Sequence, residues 1–495
     1  MRAPDPAVLE PTVFELSSPG LRGYRLPPLD VPEVDPAVAL GADNLRKDPP
    51  GLPELTEPEV VRHFTRLAEM NHHVDRALYP LGSCTMKYNP KVNEDLAGLP
   101  GFSRLHPETD PLFCQGALAL MVHLSEHLAG IAGMDEVSLQ PPAGASGELA
   151  GMLIVRAHHA ANGAPRSKVL VPDSAHGTNP ASLTLAGYRA VQVPSGPDGR
   201  VDLEALAKAA DSETAALMIT NPNTLGVFET KIRAAIDVVH GVGGLVYLDG
   251  ANLNASLGIV RPGDIGFDLM HFNLHKTFSA PHGGGGPGSG PVGVKAPLAR
   301  FLPVPVPRRD GARARGAEYH LDWDRPESIG RVHGAYGNFL VMVNAYAYVL
   351  ALGPAGLRRV AENAVLNANY LQALLSKRFE LPYPGYCQHE FVLPASRHKD
   401  RGVRALDIAK ALLDRGFHAP TVYFPLIVKD ALMIEPTETE SLASLDGFAD
   451  AMLRIADAVE TDPASVTAAP TTTPVARLDE ARAAKDLDVA WTGGR

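Results

Sequence analysis

A lysine between a short apolar stretch and a glycine-rich segment is the most chemically suggestive feature of this sequence. Lys276 follows the apolar residues 267–274 and precedes the glycines at 283–286. At a junction between strand and loop, a lysine amine can reach into a cleft and form a Schiff base with a carbonyl. Glycines let backbone N–H groups approach an anion such as phosphate closely. The alternative is a surface lysine beside a flexible Gly/Pro linker.

Two polar residues upstream have types and positions suited to holding a flat, charged ligand. Asp249 ends the predicted strand 245–248, and ligands bind at the carboxyl ends of strands in parallel sheets. His176 lies in a predicted strand-to-helix loop and could stack on a planar ring. A helix N-cap is the alternative for Asp249, and a structural or exposed side chain is the alternative for His176.

Two further segments are suited to binding a phosphate and a phenolate oxygen. Ala145-Ser146-Gly147 precedes a predicted helix over 149–159, whose free N–H groups would favour an anion. Asn221 follows the predicted strand 215–220 and could donate to a phenolate. A common helix cap and a simple Asn-Pro turn are the alternatives. Together with the acid, the histidine and the lysine, these segments predict a pyridoxal phosphate site.

The pattern of strands and helices predicts how these residues are brought together. Apolar strands at 168–171, 190–193, 215–220 and 245–248 alternate with amphipathic helices, which is typical of a mainly parallel sheet covered on both faces. The predicted domains are an N-terminal arm and helix (1–75), a large α/β domain (76–340), a smaller α+β domain (341–460) and a tail (461–495). The eleven prolines among residues 1–55 favour an extended arm, although a disordered tail fits the composition equally well.

Composition excludes several classes of function. The net charge of −11 and the pI near 5.9 argue against broad nucleic-acid binding. The three cysteines are far apart in sequence, which predicts a reducing cytoplasm and no structural zinc, so that no metal is expected. We find no run of 18 apolar residues and no signal peptide, so the sequence predicts no membrane association.

Several segments resemble the glycine-decarboxylating P-protein family of the glycine cleavage system, which belongs to fold type I of the pyridoxal phosphate enzymes. They are 80–87 (PLGSCTMK), 173–180 (DSAHGTNP), 247–252 (YLDGAN) and 273–277 (NLHKT). Segments 328–334 (SIGRVHG) and 434–441 (IEPTETES) further resemble subunit 2 of the split, two-subunit form. The resemblance runs from about residue 60 to 490. It implies a seven-stranded, mainly parallel sheet and a separate subunit 1, with two copies of each subunit.

The resemblance also implies a reaction and residue roles. Lys276 would hold pyridoxal phosphate, with Asp249 at the pyridine nitrogen, His176 on the ring and His275 beside the cofactor. Glycine would lose carbon dioxide, and its aminomethyl group would pass to the lipoyl arm of the H-protein. Ser83, Cys84 and Thr85 would line the mouth and meet the substrate carboxylate.

Two alternatives remain open at this stage. Another fold-type I enzyme, such as a cysteine desulfurase or another amino-acid decarboxylase, would share Lys276 and Asp249. A desulfurase needs a mobile cysteine near the ring, and Cys84 is the only candidate. The chain could also be a cofactor-free scaffold subunit, although a scaffold has no physical need for this lysine, acid and glycine segment together.

Overall fold

The computed structural model describes residues 10–48, 50–282, 288–309 and 318–491, which form two compact units. One unit comprises the described residues up to 73 together with 469–491, and the other comprises the described residues from 74 to 468. The helices are α1 (Pro36–Leu40), α2 (Glu57–Glu69), α3 (Lys91–Ala97), α4 (Pro100–Ser103), α5 (Gln115–Ala132), α6 (Gly144–Ala161), α7 (Thr178–Leu185), α8 (Leu203–Ala209), α9 (Ile232–Gly241), α10 (Pro262–Ile265), α11 (Phe339–Leu375), α12 (Ala405–Leu413), α13 (Leu442–Thr461), α14 (Pro463–Ala468) and α15 (Glu480–Lys485). The strands are β1 (Glu136–Ser138), β2 (Lys168–Pro172), β3 (Arg189–Val193), β4 (Thr214–Thr220), β5 (Leu245–Asp249), β6 (Leu269–His271), β7 (Val292–Val294), β8 (Val306–Arg309), β9 (Tyr319–Asp322), β10 (Phe391–Pro394), β11 (Thr421–Val422) and β12 (Ala431–Ile434).

A seven-stranded sheet forms the centre of the larger unit. Its strand order is β1-β7-β6-β5-β4-β2-β3. β7 pairs antiparallel with both neighbours, whereas the pairs among β2 to β6 are parallel. The predicted α/β class and the mainly parallel sheet are therefore confirmed. The carboxyl ends of β4, β5 and β6 meet at one edge of this sheet.

Helices cover both faces of the sheet. Successive side chains of each strand point to opposite faces, so each strand packs against helices on both sides. In β4, Leu217 packs with α5, α9 and α11 on one face, and Met218 packs with α6 and α7 on the other. Leu217 and Met218 are fully buried. This two-sided burial explains why the strands are almost continuously apolar.

A smaller α+β part follows α11. Strands β10, β12 and β11 form an antiparallel sheet, with Phe391 opposite Ile434. Helices α12 and α13 pack beside it. α11 itself is interrupted at Gly353, whose φ of 58° is non-helical, directly before Pro354. From the sequence alone we predict a long helix over 339–352 and further helix to about 378, which is close to the observed bounds.

Among the described residues, α11 is long and apolar enough to cross a membrane by length and composition alone. Half of its most apolar stretch is buried inside the protein. Met342 and Ala345 belong to the main core cluster together with the strands of the large sheet. We therefore interpret α11 as a core helix of the larger unit.

The other unit combines the two ends of the chain, which the sequence suggested were separate segments. Phe14 stacks on Trp491 with ring centroids 5.2 Å apart. Glu10 accepts hydrogen bonds from Arg66, and His63 lies within hydrogen-bonding distance of it. These contacts attach the proline-rich arm to α2, which begins with the capping box formed by Thr56 and Glu59.

Candidate active site

A cavity of about 170 Å³ opens at the carboxyl ends of β4, β5 and β6. This is the edge at which parallel α/β sheets bind ligands. Its lining consists of Ser83, Gly144, Ala145, Glu148, His176, Thr178, Thr220, Thr224, Asp249, Ala251, His271, Asn273, His275 and Lys276. The structure thus brings Lys276, Asp249, His176, His275, Ala145 and Ser83 from the sequence prediction into one cavity.

The other predicted site residues lie nearby without lining this cavity. Ser146 and Gly147 belong to the first turn of α6, which begins at Gly144 and not after residue 147. Asn221 is buried, and its side-chain oxygen accepts the N–H of Glu229 at 3.0 Å. Thr85 is buried, and Cys84 is largely enclosed, so that burial raises the pKa of its thiol.

Lys276 lies in a turn that follows β6 and points back into the cavity. Its Nζ donates to the backbone oxygen of Ser83 at 2.8 Å. Its backbone N–H bonds to the carbonyl of Asn273, which closes the turn. The glycines at 283–286, predicted to bind an anion, lie outside the described residues.

Asp249 is buried at the carboxyl end of β5 and faces three polar partners. It accepts hydrogen bonds from the N–H of Ala251 at 2.9 Å and the amide of Asn179 at 3.1 Å, and His271 Nε2 lies 3.5 Å away. Burial raises the pKa of Asp249, but these partners and Lys276 outweigh it and hold the pKa below the ordinary value. Asp249 is therefore an anion held in a fixed orientation.

His176 lies on the loop after β2 and is connected to Glu148 through Thr178. The Thr178 hydroxyl is 2.8 Å from both His176 Nδ1 and Glu148 Oε1. Phe424 packs edge-on against the His176 ring, with centroids 5.4 Å apart. Desolvation, opposed by Asp249, lowers the pKa of His176. The ring is therefore neutral near pH 7 and is oriented from two sides.

The first turn of α6 faces the cavity with backbone donors. Its N-cap residue is Ala143, whose side chain offers no acceptor for the N–H groups of that turn. A Cβ on Gly147 would come within 2.6 Å of the Gly290 carbonyl, so only glycine allows this close approach. Such a helix N-terminus favours an anion.

His275 and His271 surround the lysine with neutral imidazoles. Burial lowers the pKa of His275 to about 3, assisted by His282 and Lys276. Burial also lowers the pKa of His271, against the attraction of Asp249. His271 Nδ1 lies 2.7 Å from the Tyr247 hydroxyl. Neither ring therefore carries a positive charge near pH 7.

Sequence reasoning missed the residues that support the site from behind. Glu148 lines the cavity, and burial, with the charge of Asp249, raises its pKa to about 7. Glu390 and Glu435 are fully buried next to the loop 83–85. Lys87 is buried against Glu438. The only sign of these residues in the sequence is that a charged residue stands beside apolar ones. Such a pattern does not indicate which residue is its partner.

Comparison with known proteins connects this arrangement to one family. The sequence model of the glycine cleavage system P-protein family matches residues 33–414 of this chain. The sequence model of the glycine dehydrogenase C-terminal domain family matches residues 360–473. The chain belongs to the glycine cleavage system P-protein family. A Chlorobium phaeobacteroides relative named probable glycine dehydrogenase (decarboxylating) subunit 2 is 58% identical over 97% of this chain and 99% of its own length. A Bacillus licheniformis relative of the same name is 56% identical over 96% of this chain and 97% of its own length.

Solved structures give the same result for the fold. An inhibitor-bound glycine decarboxylase (P-protein) aligns with a TM-score of 0.73 and 25% identity over 85% of this chain and 94% of that one. A sphingosine-1-phosphate lyase from Burkholderia pseudomallei aligns with a TM-score of 0.62 and 16% identity over 87% of this chain and 96% of that one. Like other members of the P-protein family, the chain has the fold-type I architecture of pyridoxal phosphate enzymes.

Proposed function

We propose that this P-protein family member is the glycine-decarboxylating subunit 2 of a split glycine dehydrogenase. It would release carbon dioxide from glycine and transfer the aminomethyl group to the lipoyl arm of the H-protein. The observation that carries this proposal is the convergence of Lys276, Asp249 and His176 in one cavity of a chain from this family.

The cavity residues fit pyridoxal phosphate. Lys276 would hold its carbonyl carbon, and the uncapped first turn of α6 would receive its phosphate. Asp249 is an oriented anion that would keep a proton on the pyridine nitrogen. When bound, the cofactor supplies an electron-accepting ring that stabilises the charge left after a carboxylate departs.

The side chains of the protein would orient the cofactor and the substrate and would fix where charges lie around them. His176 is neutral, so it would cover the cofactor ring without adding a positive charge beside the protonated pyridine nitrogen. The Ser83 carbonyl holds the Lys276 amine at 2.8 Å. We propose that Ala145, Ser146 and Gly147 serve the phosphate, that His275 and Asn221 serve the cofactor, and that Ser83, Cys84 and Thr85 serve the substrate carboxylate.

We further propose that the chain works with a separate subunit 1, with two copies of each subunit. The name subunit 2, given to relatives that this chain matches over nearly their full length, supports a partner.

The three cysteines are free thiols, in keeping with a reducing cytoplasm. Cys84 is enclosed and its pKa is raised, which disfavours the nucleophile that a desulfurase would need.

Two measurements test this function. The visible absorbance of the purified protein with pyridoxal phosphate distinguishes an enzyme, which forms a Schiff-base band, from a cofactor-free scaffold. Carbon dioxide exchange into glycine, with lipoylated H-protein and with or without subunit 1, tests the reaction and the partnership. We expect exchange that depends on both proteins. Full activity of the isolated chain would contradict the need for subunit 1, and absence of exchange in the complete mixture would contradict the reaction.

A further inference from the structure

Two glutamates lie opposite each other at one end of the small sheet, where the neighbouring antiparallel strands β10 and β12 begin and end, respectively. Glu390 directly precedes β10 and Glu435 directly follows β12, next to the opposed pair Phe391 and Ile434. Both carboxyl groups are fully buried. Two like charges directly opposite each other would destabilise a sheet, so the contacts and the charge state of this pair need a physical explanation.

Each glutamate accepts a backbone N–H from the loop 83–85. The N–H of Ser83 donates to Glu390 Oε2 at 2.6 Å, and that of Thr85 donates to Glu435 Oε2 at 3.0 Å. Ser83 and Thr85 have φ values of 64° and 46°, in the left-handed region that L-residues rarely adopt. The two carboxyl groups therefore hold this loop in a strained conformation.

The strained conformation has a direct consequence for the catalytic lysine. The N–H of Ser83 faces Glu390, while its carbonyl oxygen receives Lys276 Nζ at 2.8 Å. A single residue thus connects the small sheet to the lysine. The side chain of Asn252 also donates to Glu390 Oε1, which fixes the carboxyl group from its other side.

The charge state of the pair follows from its surroundings. Burial and the neighbouring glutamate raise the pKa of Glu390 well above its ordinary value, and burial raises that of Glu435 to about 7. The charged or titratable neighbours are Lys276, which favours ionisation of both, and Glu438, Cys84 and His389. Burial lowers the pKa of His389 to about 3, so it contributes no positive charge. At least one of the two carboxyl groups is therefore a neutral acid near pH 7.

We propose that the Ser83 carbonyl is the hydrogen-bond acceptor for the Lys276 amine whenever that amine is not attached to the cofactor. Glu390 and Glu435 are then positioning residues that hold this carbonyl in place. The proposal rests on the proposed function, in which Lys276 would hold the cofactor and its amine would have to be free whenever the cofactor is bound to glycine instead. A released amine in a half-buried cavity needs an acceptor, because an unpaired charge there is unfavourable. At Ser83 it has one and stays oriented for reattachment.

The test uses the full-length chain freed of cofactor. Pyridoxal phosphate is added, and the rate at which the Schiff-base absorbance appears is measured by stopped flow. Glu390→Ala and Glu435→Ala should each slow attachment at least about tenfold, as expected for losing a hydrogen bond to a charged or buried group. Glu390→Gln and Glu435→Gln should remain within about threefold of the wild-type rate, because an amide oxygen still accepts the loop N–H.

Glu229→Gln is the matched control, since Glu229 is also buried and accepts a backbone N–H but belongs to a different part of the fold. It should leave the attachment rate unchanged. Hydrogen exchange of the peptide containing residues 80–89 should accelerate in the alanine variants and not in the glutamine variants. Wild-type attachment rates in folded alanine variants with accelerated exchange would overturn the proposal.

This outcome is separable from failure of the proposed function. Attachment of pyridoxal phosphate is measured without glycine, H-protein or subunit 1. If the wild-type chain forms no Schiff base at all, the proposed function fails. If it forms one and the alanine and glutamine variants attach equally fast, only the positioning role fails.

Discussion

Lys87 Nζ lies 2.8 Å from Glu438 Oε1, and the two side chains are only 1% and 7% exposed. The same nitrogen donates to Asn254 Oδ1 at 2.9 Å and to the backbone oxygen of Thr277 at 2.7 Å. Burial alone would lower the pKa of Lys87, but Glu438 outweighs it and raises the pKa. A permanently charged structural lysine thus supports the turn that carries Lys276.

Lys87→Met should therefore reduce the free energy of unfolding by about 3 kcal/mol or more, because it leaves the Glu438 carboxyl buried without its cation. Urea unfolding measures the change. Lys87→Met combined with Glu438→Gln should recover much of the loss. As a control, Arg358→Met in the exposed pair with Glu362 should cost less than about 1 kcal/mol. Equal effects at the two pairs would contradict the argument.

Lys276→Ala should abolish turnover, because it removes the amine that attaches the cofactor, while the fold is retained. Borohydride reduction followed by peptide mass spectrometry should find the pyridoxyl group on Lys276 in the wild type. The exposed Lys231 provides the control, since Lys231→Ala should change neither the label nor the activity. A label on another lysine in the wild type would show that the assignment is wrong.

Asp249→Asn should lower the decarboxylation rate by at least about a hundredfold, because a neutral amide cannot keep the ring nitrogen protonated. The substitution preserves shape and an acceptor for the Ala251 N–H, so stability should change less than activity. Carbon dioxide exchange and thermal unfolding, measured on one preparation, separate the two effects. A near wild-type rate would exclude Asp249 as the pyridine partner.

The contribution of His176 should depend on an aromatic ring more than on a titrating nitrogen, because its pKa is already lowered. His176→Phe should stay within about tenfold of the wild-type rate, and His176→Ala should lose about a hundredfold. The absorbance of bound cofactor checks that both variants remain loaded. Equal activities of the two variants would exclude a stacking role.

Glu229 gives a pH dependence whose sign is fixed by its environment. Burial raises its pKa from an ordinary value of 4.5 to about 7, against the hydrogen bonds from Val201 and Asn223. The folded protein thus binds more protons than the unfolded chain between these values, and stability falls as pH rises through them. Relative to Glu229→Gln, the wild type should lose roughly 2–3 kcal/mol between pH of about 4.5 and about 8. A pH-independent difference in urea unfolding would contradict this.

Local sequence patterns were sufficient for four of the seven strands of the large sheet, β2 to β5. Each predicted strand lies within one or two residues of its observed bounds; 245–248, for example, corresponds to β5 (Leu245–Asp249). The positions of Asp249 and Lys276 in the cavity could be predicted, because Asp249 ends β5 and Lys276 follows β6, and parallel strands bring their carboxyl ends to one edge. The break in α11 also has a local cause, since a proline such as Pro354 interrupts a helix on steric grounds.

The support behind the site could not be predicted, because it depends on contacts between distant segments. Ser83 and Glu390 are separated by 307 residues, and Lys87 and Glu438 by 351. Neither pair has a periodicity or spacing that indicates its partner. The stacking of Phe14 on Trp491 joins two ends that composition described as separate loose segments.

The segment 80–82 pairs with the end of β12, where Leu81 forms an antiparallel bridge with Ile434. The N–H of Gly82 donates to the Met433 carbonyl, and the N–H of Glu435 donates to the Pro80 carbonyl, both at 3.3 Å. Any side chain at Gly82 would collide with Met433, since a Cβ there would lie 2.2 Å from its Cγ. Because Ser83 directly follows this segment, a displacement of β12 relative to the large sheet would change the distance between the Ser83 carbonyl and the Lys276 amine, which is 2.8 Å in this structure.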